Sequence, residues 1–269
     1  MSAYAGRIRV FGILGDPVLH SLSPHMHNAA FRALGLPAVY VPIRCSARDL
    51  PGLLGGLARS GGGGNVTVPH KELAARLVQD ASEAAREVGA CNTFWRHADR
   101  VRGDNTDIEG VLAALAELGI EGGSWLVAGT GGGARAVVAA AKRAGASVAI
   151  RSRDPARGAE FARWAAERGV AVAEPAECRV LVNATPLGLR SSDEPPIPDD
   201  AAPDARAALD LVYARGGTRW VQACLARGLR ASDGRTMLVA QGAGAFRRWF
   251  PEVPPPLEIM RAAVHGALR

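Results

Sequence analysis

The apolar positions of the first hundred residues alternate between a strand-like and a helix-like period. Residues 7–14 predict a first strand, ended by Gly15-Asp16-Pro17. Met26, Ala30, Phe31 and Leu34 then recur at helical spacing, and Gly35 closes that helix. Its start is marked by Ser23-Pro24, a hydroxyl N-cap followed by proline at the first helical position. Residues 38–43 predict a second strand and residues 47–59 a second helix. Glycines 61–64 lead into Asn65-Val66-Thr67-Val68-Pro69-His70-Lys71, where Val66 and Val68 flank Thr67 as at a strand end. Pro69 suits the first turn of a third helix, which puts Lys71 on that turn, beside the end of a strand. Residues 80–88 predict a further helix, and Phe94-Trp95 with Val101 a hairpin. This β-α-β-α-β-α order describes a compact α/β unit.

The second half repeats the theme with longer apolar runs. Ile108, Val111, Leu112, Leu115 and Leu118 form a helical pattern behind the polar stretch Gly103-Asp104-Asn105-Thr106-Asp107. Residues 119–124 link it to a buried strand, Trp125-Leu126-Val127-Ala128. Gly129-Thr130-Gly131-Gly132-Gly133-Ala134 follows, then a helix over residues 135–144. This is G-x-G-x-x-G/A between strand and helix, where glycines tighten the turn and let a pyrophosphate approach the backbone at the helix N-terminus. The next strand, residues 147–150, ends at Arg151-Ser152-Arg153-Asp154, with Arg157 close by. Further strands are expected at 180–183 and 208–213, and helices at 155–168 and 220–227. Asp233-Gly234 precedes a helix carrying Met237, Leu238, Gln241 and Phe246, and a last amphipathic helix follows the proline-rich residues 251–256.

A length of 269 residues allows two domains, and 48% hydrophobic content supports real cores. The net charge of +6 suits anionic small molecules. Scattered arginines, only 5% aromatics and the absence of zinc-finger spacing argue against nucleic acid. Cys45, Cys91, Cys178 and Cys224 lie far apart, which predicts reduced cysteines of a cytoplasmic protein with no metal site and no disulfide framework. No apolar run approaches membrane-spanning length, and the first ten residues lack the apolar run of a signal peptide.

Three places in the first half carry candidate chemistry. Of the 32 basic residues only two, Lys71 and Lys142, are lysine. Lysine at position 71 is either an ordinary surface residue or a needed amine, one that can lose its proton where arginine cannot. Ser21 and Ser23 beside a helix N-terminus make either a cap or an anion site. Asp107 is either a helix cap or a functional carboxylate. His25 and His27, two apart, would not share a helix face and are not read as metal ligands.

In combination these stretches resemble the shikimate dehydrogenases over nearly the whole chain. The resemblance rests on Ser21-Leu22-Ser23-Pro24 with His27-Asn28, residues 65–71, 89–93 and 103–107, and residues 129–134. It continues through Asn183-Ala184-Thr185, residues 210–213, and Asp233-Gly234 through Met237-Leu238 to Gln241. It implies an α/β chain with a substrate domain over 1–107 completed by 235–269, and a Rossmann-like NADP-binding domain over 108–234. The C-terminal helices would return to the substrate domain. The implied activity is reversible NADPH-dependent reduction of 3-dehydroshikimate to shikimate in aromatic amino-acid synthesis. By the same resemblance Lys71 and Asp107 flank the hydroxyl that is oxidised, and Ser21 and Ser23 hold the substrate carboxylate. Thr67, Asn92, Tyr213 and Gln241 are further substrate contacts. Gly129, Thr130, Gly131, Gly132, Gly133, Ala134, Ser152, Arg153, Arg157, Thr185, Leu211 and Gly234 contact the cofactor. The implied partners are the small-molecule substrate alone, with no nucleic acid and no membrane, in a cytoplasmic monomer or homodimer.

The chain departs from the family pattern in three places: Thr130 and Gly133 where alanine is common, Ser152-Arg153-Asp154 where Asn-Arg-Thr or Asn-Arg-Ser is common, and Thr218-Arg219 in place of Thr-Pro. The arginines after the second nucleotide-domain strand favour the 2′-phosphate of NADP, whereas Asp154 favours the ribose diol of NAD. An NAD-dependent quinate/shikimate dehydrogenase is the nearest alternative. A non-catalytic nucleotide-binding regulator is another, disfavoured because it would need neither Lys71 nor Asp107.

Overall fold

The computed structural model describes residues 8–188, 190 and 192–268. They divide into two compact units, one containing the chain up to Thr106 together with Gln241–Ala267, the other Asp107–Ala240.

The first unit contains β1 (Arg9–Gly15), α1 (Ser23–Ala33), β2 (Ala38–Arg44), α2 (Leu50–Arg59), β3 (Gly63–Val66), α3 (Lys71–Leu77), β4 (Asp80–Ala81), α4 (Glu83–Val88), β5 (Thr93–His97) and β6 (Arg100–Asp104). Its six-stranded sheet has the order β2-β1-β3-β5-β6-β4. β1 runs parallel to β2 and β3, whereas β5 is antiparallel to β3 and β6. Leu14, Leu50, Leu54, Val66 and Phe94 fill one core of this unit.

Local chemistry moves two element boundaries from where periodicity puts them. α2 starts at Leu50 because Ser46 and Asp49 form a closed turn first: the Asp49 carboxylate accepts from the Ser46 N–H at 3.1 Å and its hydroxyl at 2.6 Å. The helix expected over 80–88 is a two-residue strand followed by α4. Asp80 and Ala81 pair with Arg102 and Gly103, and Ser82 caps α4 by accepting from the Ala85 N–H at 3.0 Å.

The glycine run before Asn65 has a steric cause. A Cβ on Gly64 would lie 2.0 Å from the Gly12 carbonyl oxygen, and one on Gly62 would lie 1.8 Å from that of Val10. β3 therefore sits against β1 more closely than any side chain permits. Gly64→Ala is expected to destabilise the chain by about 3 kcal/mol, the upper end of overpacking costs, since backbone must move. A urea midpoint equal to wild type would contradict this.

The second unit contains α5 (Asp107–Glu117), β7 (Ser124–Ala128), α6 (Gly132–Arg143), β8 (Ser147–Arg151), α7 (Pro155–Ala166), β9 (Val180–Asn183), β10 (Ala207–Asp210), α8 (Arg219–Ala226) and β11 (Arg230–Ser232). Its five strands are all parallel, in the order β11-β10-β9-β7-β8. β7 has β8 on one side and β9 on the other, so the connections from β7 and β8 run in opposite directions across the sheet. Such a reversal opens a crevice at the carboxyl ends of the strands. Leu126, Ala149, Leu181, Ala208 and Trp220 pack one of its cores. The strand expected over 208–213 ends at Asp210, whose carboxylate takes the Val212 N–H and turns the chain out of the sheet. β11 escaped the pattern because Arg230-Ala231-Ser232 carries no apolar alternation.

α9 (Arg235–Trp249) begins in the second unit, and the boundary falls within it, between Ala240 and Gln241. Its last turns and α10 (Leu257–Gly266) belong to the first unit, where α10 packs along α1. Phe246, Trp249 and Phe250 join Phe11, Phe31, Tyr40 and His27 in one aromatic cluster.

Candidate active site

In the second unit the glycine turn lies at the reversal point of the sheet. Gly129 has φ +114°, and a Cβ there would lie 2.8 Å from the Ala184 carbonyl oxygen, so any other residue would be both strained and obstructed. Gly129 also donates its N–H to the Arg151 carbonyl at 2.9 Å, tethering the turn to the end of β8. Thr130 and Gly131 complete the turn, and Gly132, Gly133 and Ala134 open α6, whose first N–H groups form an anion-binding end. A Cβ on Gly133 would approach Leu211 Cδ1 at 3.6 Å, one on Gly129 would approach Thr185 Cγ2 at 3.3 Å, and one on Gly234 would meet the Leu211 carbonyl oxygen at 2.4 Å. The structure thus gathers Gly129, Gly133, Thr185, Leu211 and Gly234 at one end of the parallel sheet.

Ser152, Arg153 and Arg157 follow β8, with both arginines exposed. Asp154, the residue that argued for NAD, is the N-cap of α7: its Oδ1 accepts from the Ala156 N–H at 2.9 Å and the Arg157 N–H at 3.3 Å. Thr218 likewise has a local role, capping α8 through the Val221 N–H and donating to Asp210 Oδ2 at 2.7 Å.

In the first unit Lys71 is the first residue of α3, and its carbonyl accepts the Cys91 N–H at 2.9 Å. That bond ties the helix start to the turn bearing Asn92. Asn92 is buried; its Nδ2 donates to Thr106 Oγ1 at 3.0 Å and Gln241 Oε1 at 3.3 Å, and its Oδ1 accepts the Thr106 N–H at 2.8 Å. Thr67 donates its N–H to the Leu14 carbonyl, and Gly15 leaves room for its methyl group. Lys71, Asn92 and Gln241 are therefore brought into one network of the first unit. Asp107 opens α5 directly after Thr106, and Tyr213 follows β10; both belong to the second unit.

Two expectations about helix starts need correction. Pro69 does not open α3. It lies in a turn after a cis Val68–Pro69 peptide, closed by the His70 N–H on the Thr67 carbonyl, and the helix begins at Lys71. Ser23 is not the cap of α1 but its first residue, buried, and the hydroxyl oxygen that accepts its N–H at 3.2 Å is Ser21 Oγ.

Two buried ionisable groups brace this unit. Burial pushes the Asp104 carboxyl up, yet the Ser82 hydroxyl and the Arg248 guanidinium bonded to it hold it below the usual range. His27 is fully buried, neither ring nitrogen has a hydrogen-bond partner, and burial lowers its pKa from 6.5 to about 3. Its folded form stays neutral while the unfolded form takes a proton below pH 6.5, so its contribution to stability is complete above 6.5 and falls as pH drops towards 3. Each unit of pH there costs about 1.4 kcal/mol. His27→Phe should flatten the decline of stability between neutral pH and pH ~5 by about one proton, read from urea midpoints. An unchanged slope would mean that His27 is protonated in the fold.

Several residues that orient this site had no role assigned from the sequence, although Asn65, Asn183 and Asp210 lie in stretches that carry the resemblance. Tyr40 donates its hydroxyl to Asn65 Oδ1 at 2.8 Å, and Asn65 Nδ2 donates to the Asn92 carbonyl at 3.0 Å. Asn183 and Asp210 sit opposite each other at the ends of β9 and β10. Their signal was a polar residue closing an apolar run in both strands. Among the described residues no three His, Cys, Asp or Glu side chains gather to hold a metal, and no helix is long and apolar enough to cross a membrane.

A parallel sheet with a glycine turn at its reversal point and a helix N-terminus behind it is a Rossmann-like dinucleotide-binding domain, here joined to a mixed α/β unit. Residues 13–94 match the model of the shikimate dehydrogenase substrate binding domain, and residues 234–265 that of the shikimate 5'-dehydrogenase C-terminal domain. The chain is 40% identical to shikimate dehydrogenase (NADP(+)) of Thermus thermophilus over 254 residues, 94% of this chain and 97% of that one. It is 42% identical to that of Rubrobacter xylanophilus over 276 residues, 97% of both. The crystal structure of the Thermus thermophilus enzyme in complex with NADP(H) and shikimate superposes with a TM-score of 0.85 at 37% identity, covering 96% of this chain and 99% of that one. The chain belongs to the shikimate dehydrogenase family.

Proposed function

We propose that this chain is an NADP-dependent shikimate dehydrogenase, interconverting shikimate and 3-dehydroshikimate. The reading rests on Lys71. One of only two lysines in the chain stands at the start of α3, tied through Cys91 to the Asn92–Gln241 network. Oxidising an alcohol removes a hydride from carbon and a proton from oxygen. Lys71 takes that proton and returns it in reduction, acting as the acid/base group. Asp107 holds the same hydroxyl in place, Ser21 and Ser23 bind the carboxylate, and Thr67, Asn92, Tyr213 and Gln241 bind the remaining substrate groups.

The second unit suits the cofactor. Gly129 and Gly234 keep the backbone close where a Cβ would collide, and the start of α6, after Gly131, offers N–H groups to a pyrophosphate. Arg153, with Arg151 and Arg157, would hold the 2′-phosphate. Bound there, NADP supplies or accepts the hydride. All four cysteines are buried and free, which fits a reducing compartment, and we place the enzyme in the cytoplasm.

The test is turnover followed by nicotinamide absorbance, crossing shikimate and quinate with NADP and NAD. Turnover of shikimate with NADP is expected to dominate. A preference for quinate with NAD would transfer the reading to that activity, and no turnover in any combination would remove the enzyme reading.

A further inference from the structure

The end of the second unit's sheet holds a buried polar pair that the mechanism above does not use. Asp210 is fully buried at the end of β10 and accepts three hydrogen bonds. Oδ1 takes Asn183 Nδ2 at 2.7 Å and the Val212 N–H at 3.0 Å, and Oδ2 takes the Thr218 hydroxyl at 2.7 Å. Asn183, equally buried at the end of β9, sends a second bond to the Leu187 carbonyl at 2.9 Å. Its Oδ1 accepts the Thr185 N–H at 3.0 Å and the Thr185 hydroxyl at 2.7 Å. Burial pushes the Asp210 carboxyl up to about 6 against the pull of these bonds, and the nearby Asp233 charge adds to the rise.

The segments leaving β9 and β10 beside the glycine turn are set by this pair. The Asn183 bonds fix Ala184 and Thr185, against which Gly129 closes. The bond from Val212 fixes Leu211, which lies against both Gly133 and Gly234. We propose that Asp210 and Asn183 are positioning residues for the cofactor: they touch no reacting atom, but hold the chain exits of β9 and β10 at the spacing that NADP requires. This rests on the NADP reading above. A purely structural role would cost stability and leave the folded fraction with normal affinity for both ligands. The positioning role separates the two, because Asp210 and its partners all lie in the second unit, whereas of the proposed substrate contacts Ser21, Ser23, Thr67, Lys71, Asn92 and Gln241 lie in the first and only Asp107 and Tyr213 in the second.

The experiment compares wild type, Asp210→Ala and Asp210→Asn. NADPH affinity is read from nicotinamide fluorescence, shikimate affinity from calorimetry and folding from circular dichroism. Asp210→Ala is expected to weaken NADPH binding on the order of tenfold, as for loss of a buried hydrogen-bond acceptor, with shikimate affinity, which draws on Tyr213 beside Val212, falling by less than about threefold. Asp210→Asn keeps one acceptor and the side-chain volume, and is expected to recover most of the loss. Folded Asp210→Ala with wild-type NADPH affinity, or with equal losses on both ligands, overturns the proposal. If Asp210→Ala does not fold, Asp210→Asn decides: a rise of about threefold in the NADPH dissociation constant alone supports the proposal, and unchanged affinity overturns it. Wild type that binds no NADPH would remove the NADP reading itself, an outcome distinct from unaltered variants.

Discussion

Lys71→Arg is expected to lower kcat on the order of a thousandfold, in line with removal of a general acid/base, while the dissociation constant of shikimate changes by less than about fivefold. Lys71→Ala is expected to have a comparable effect on kcat. The two variants separate two roles for the cation. If the ammonium serves only as a fixed positive charge beside the substrate oxygen, arginine preserves that charge and the Arg variant stays active. If it moves a proton, arginine fails, because a guanidinium does not give one up at working pH. The backbone around the residue should survive either change, since the bond that anchors the start of α3 uses the Lys71 carbonyl and the Cys91 N–H, not the side chain. Stopped-flow single turnover with saturating shikimate and NADP checks the result. Near-normal turnover in Lys71→Arg would remove the proton-transfer role. A kcat close to wild type with a large loss of affinity would make Lys71 a binding residue.

The elements that periodicity located well are those with one apolar face or a continuous apolar run. β7, with Trp125, Leu126 and Val127 all buried, and α1, with Met26, Ala30 and Phe31 inward, are examples. Boundaries failed where a polar side chain intervened. Ser82 converts an expected helix into a short strand and a capped helix, the Ser46–Asp49 turn delays α2, and Asp210 cuts β10 short. Each rests on one or two hydrogen bonds whose acceptors are named in the sequence but whose donors are set by the fold. The site was legible in a similar measure. The glycine turn announces itself because only glycine tolerates the Gly129 backbone and its approach to Ala184. The roles of Tyr40, Asn65, Asn183 and Asp210 were not, because each partners a residue distant in sequence: Tyr40 meets Asn65 across β1, and Asn183 meets Asp210 across neighbouring strands. Asp154 was misleading for a related reason. An acidic residue after the second strand of a nucleotide domain has two possible employments, and sequence position does not separate a ribose contact from a helix cap.

That distinction fixes the expected cofactor behaviour. Arg153→Ala is expected to lower kcat/KM for NADP on the order of thirtyfold, as for loss of a charge-assisted bond worth about 2 kcal/mol, and to leave kcat/KM for NAD within about twofold. The 2′-phosphate of NADP carries about two negative charges, and the planar guanidinium can meet two of its oxygens at once, which a ribose hydroxyl cannot match. Asp154 opposes this only if its carboxylate turns to the ribose. In the structure its Oδ1 instead takes the Ala156 and Arg157 N–H groups at the start of α7, and the residue is exposed, so its charge is screened by solvent and salt. Asp154→Ala should therefore cost about 1 kcal/mol of stability through the lost cap and leave the ratio of NADP to NAD efficiency nearly unchanged. Steady-state kinetics with both cofactors on wild type, Arg153→Ala and Asp154→Ala, with thermal melts of the same samples, measure all of these. Equal losses on NADP and NAD in Arg153→Ala would place Arg153 away from the 2′-phosphate. A large gain in NADP efficiency on removing Asp154 would show that its carboxylate faces the ribose after all, and that the cap is the lesser of its two roles.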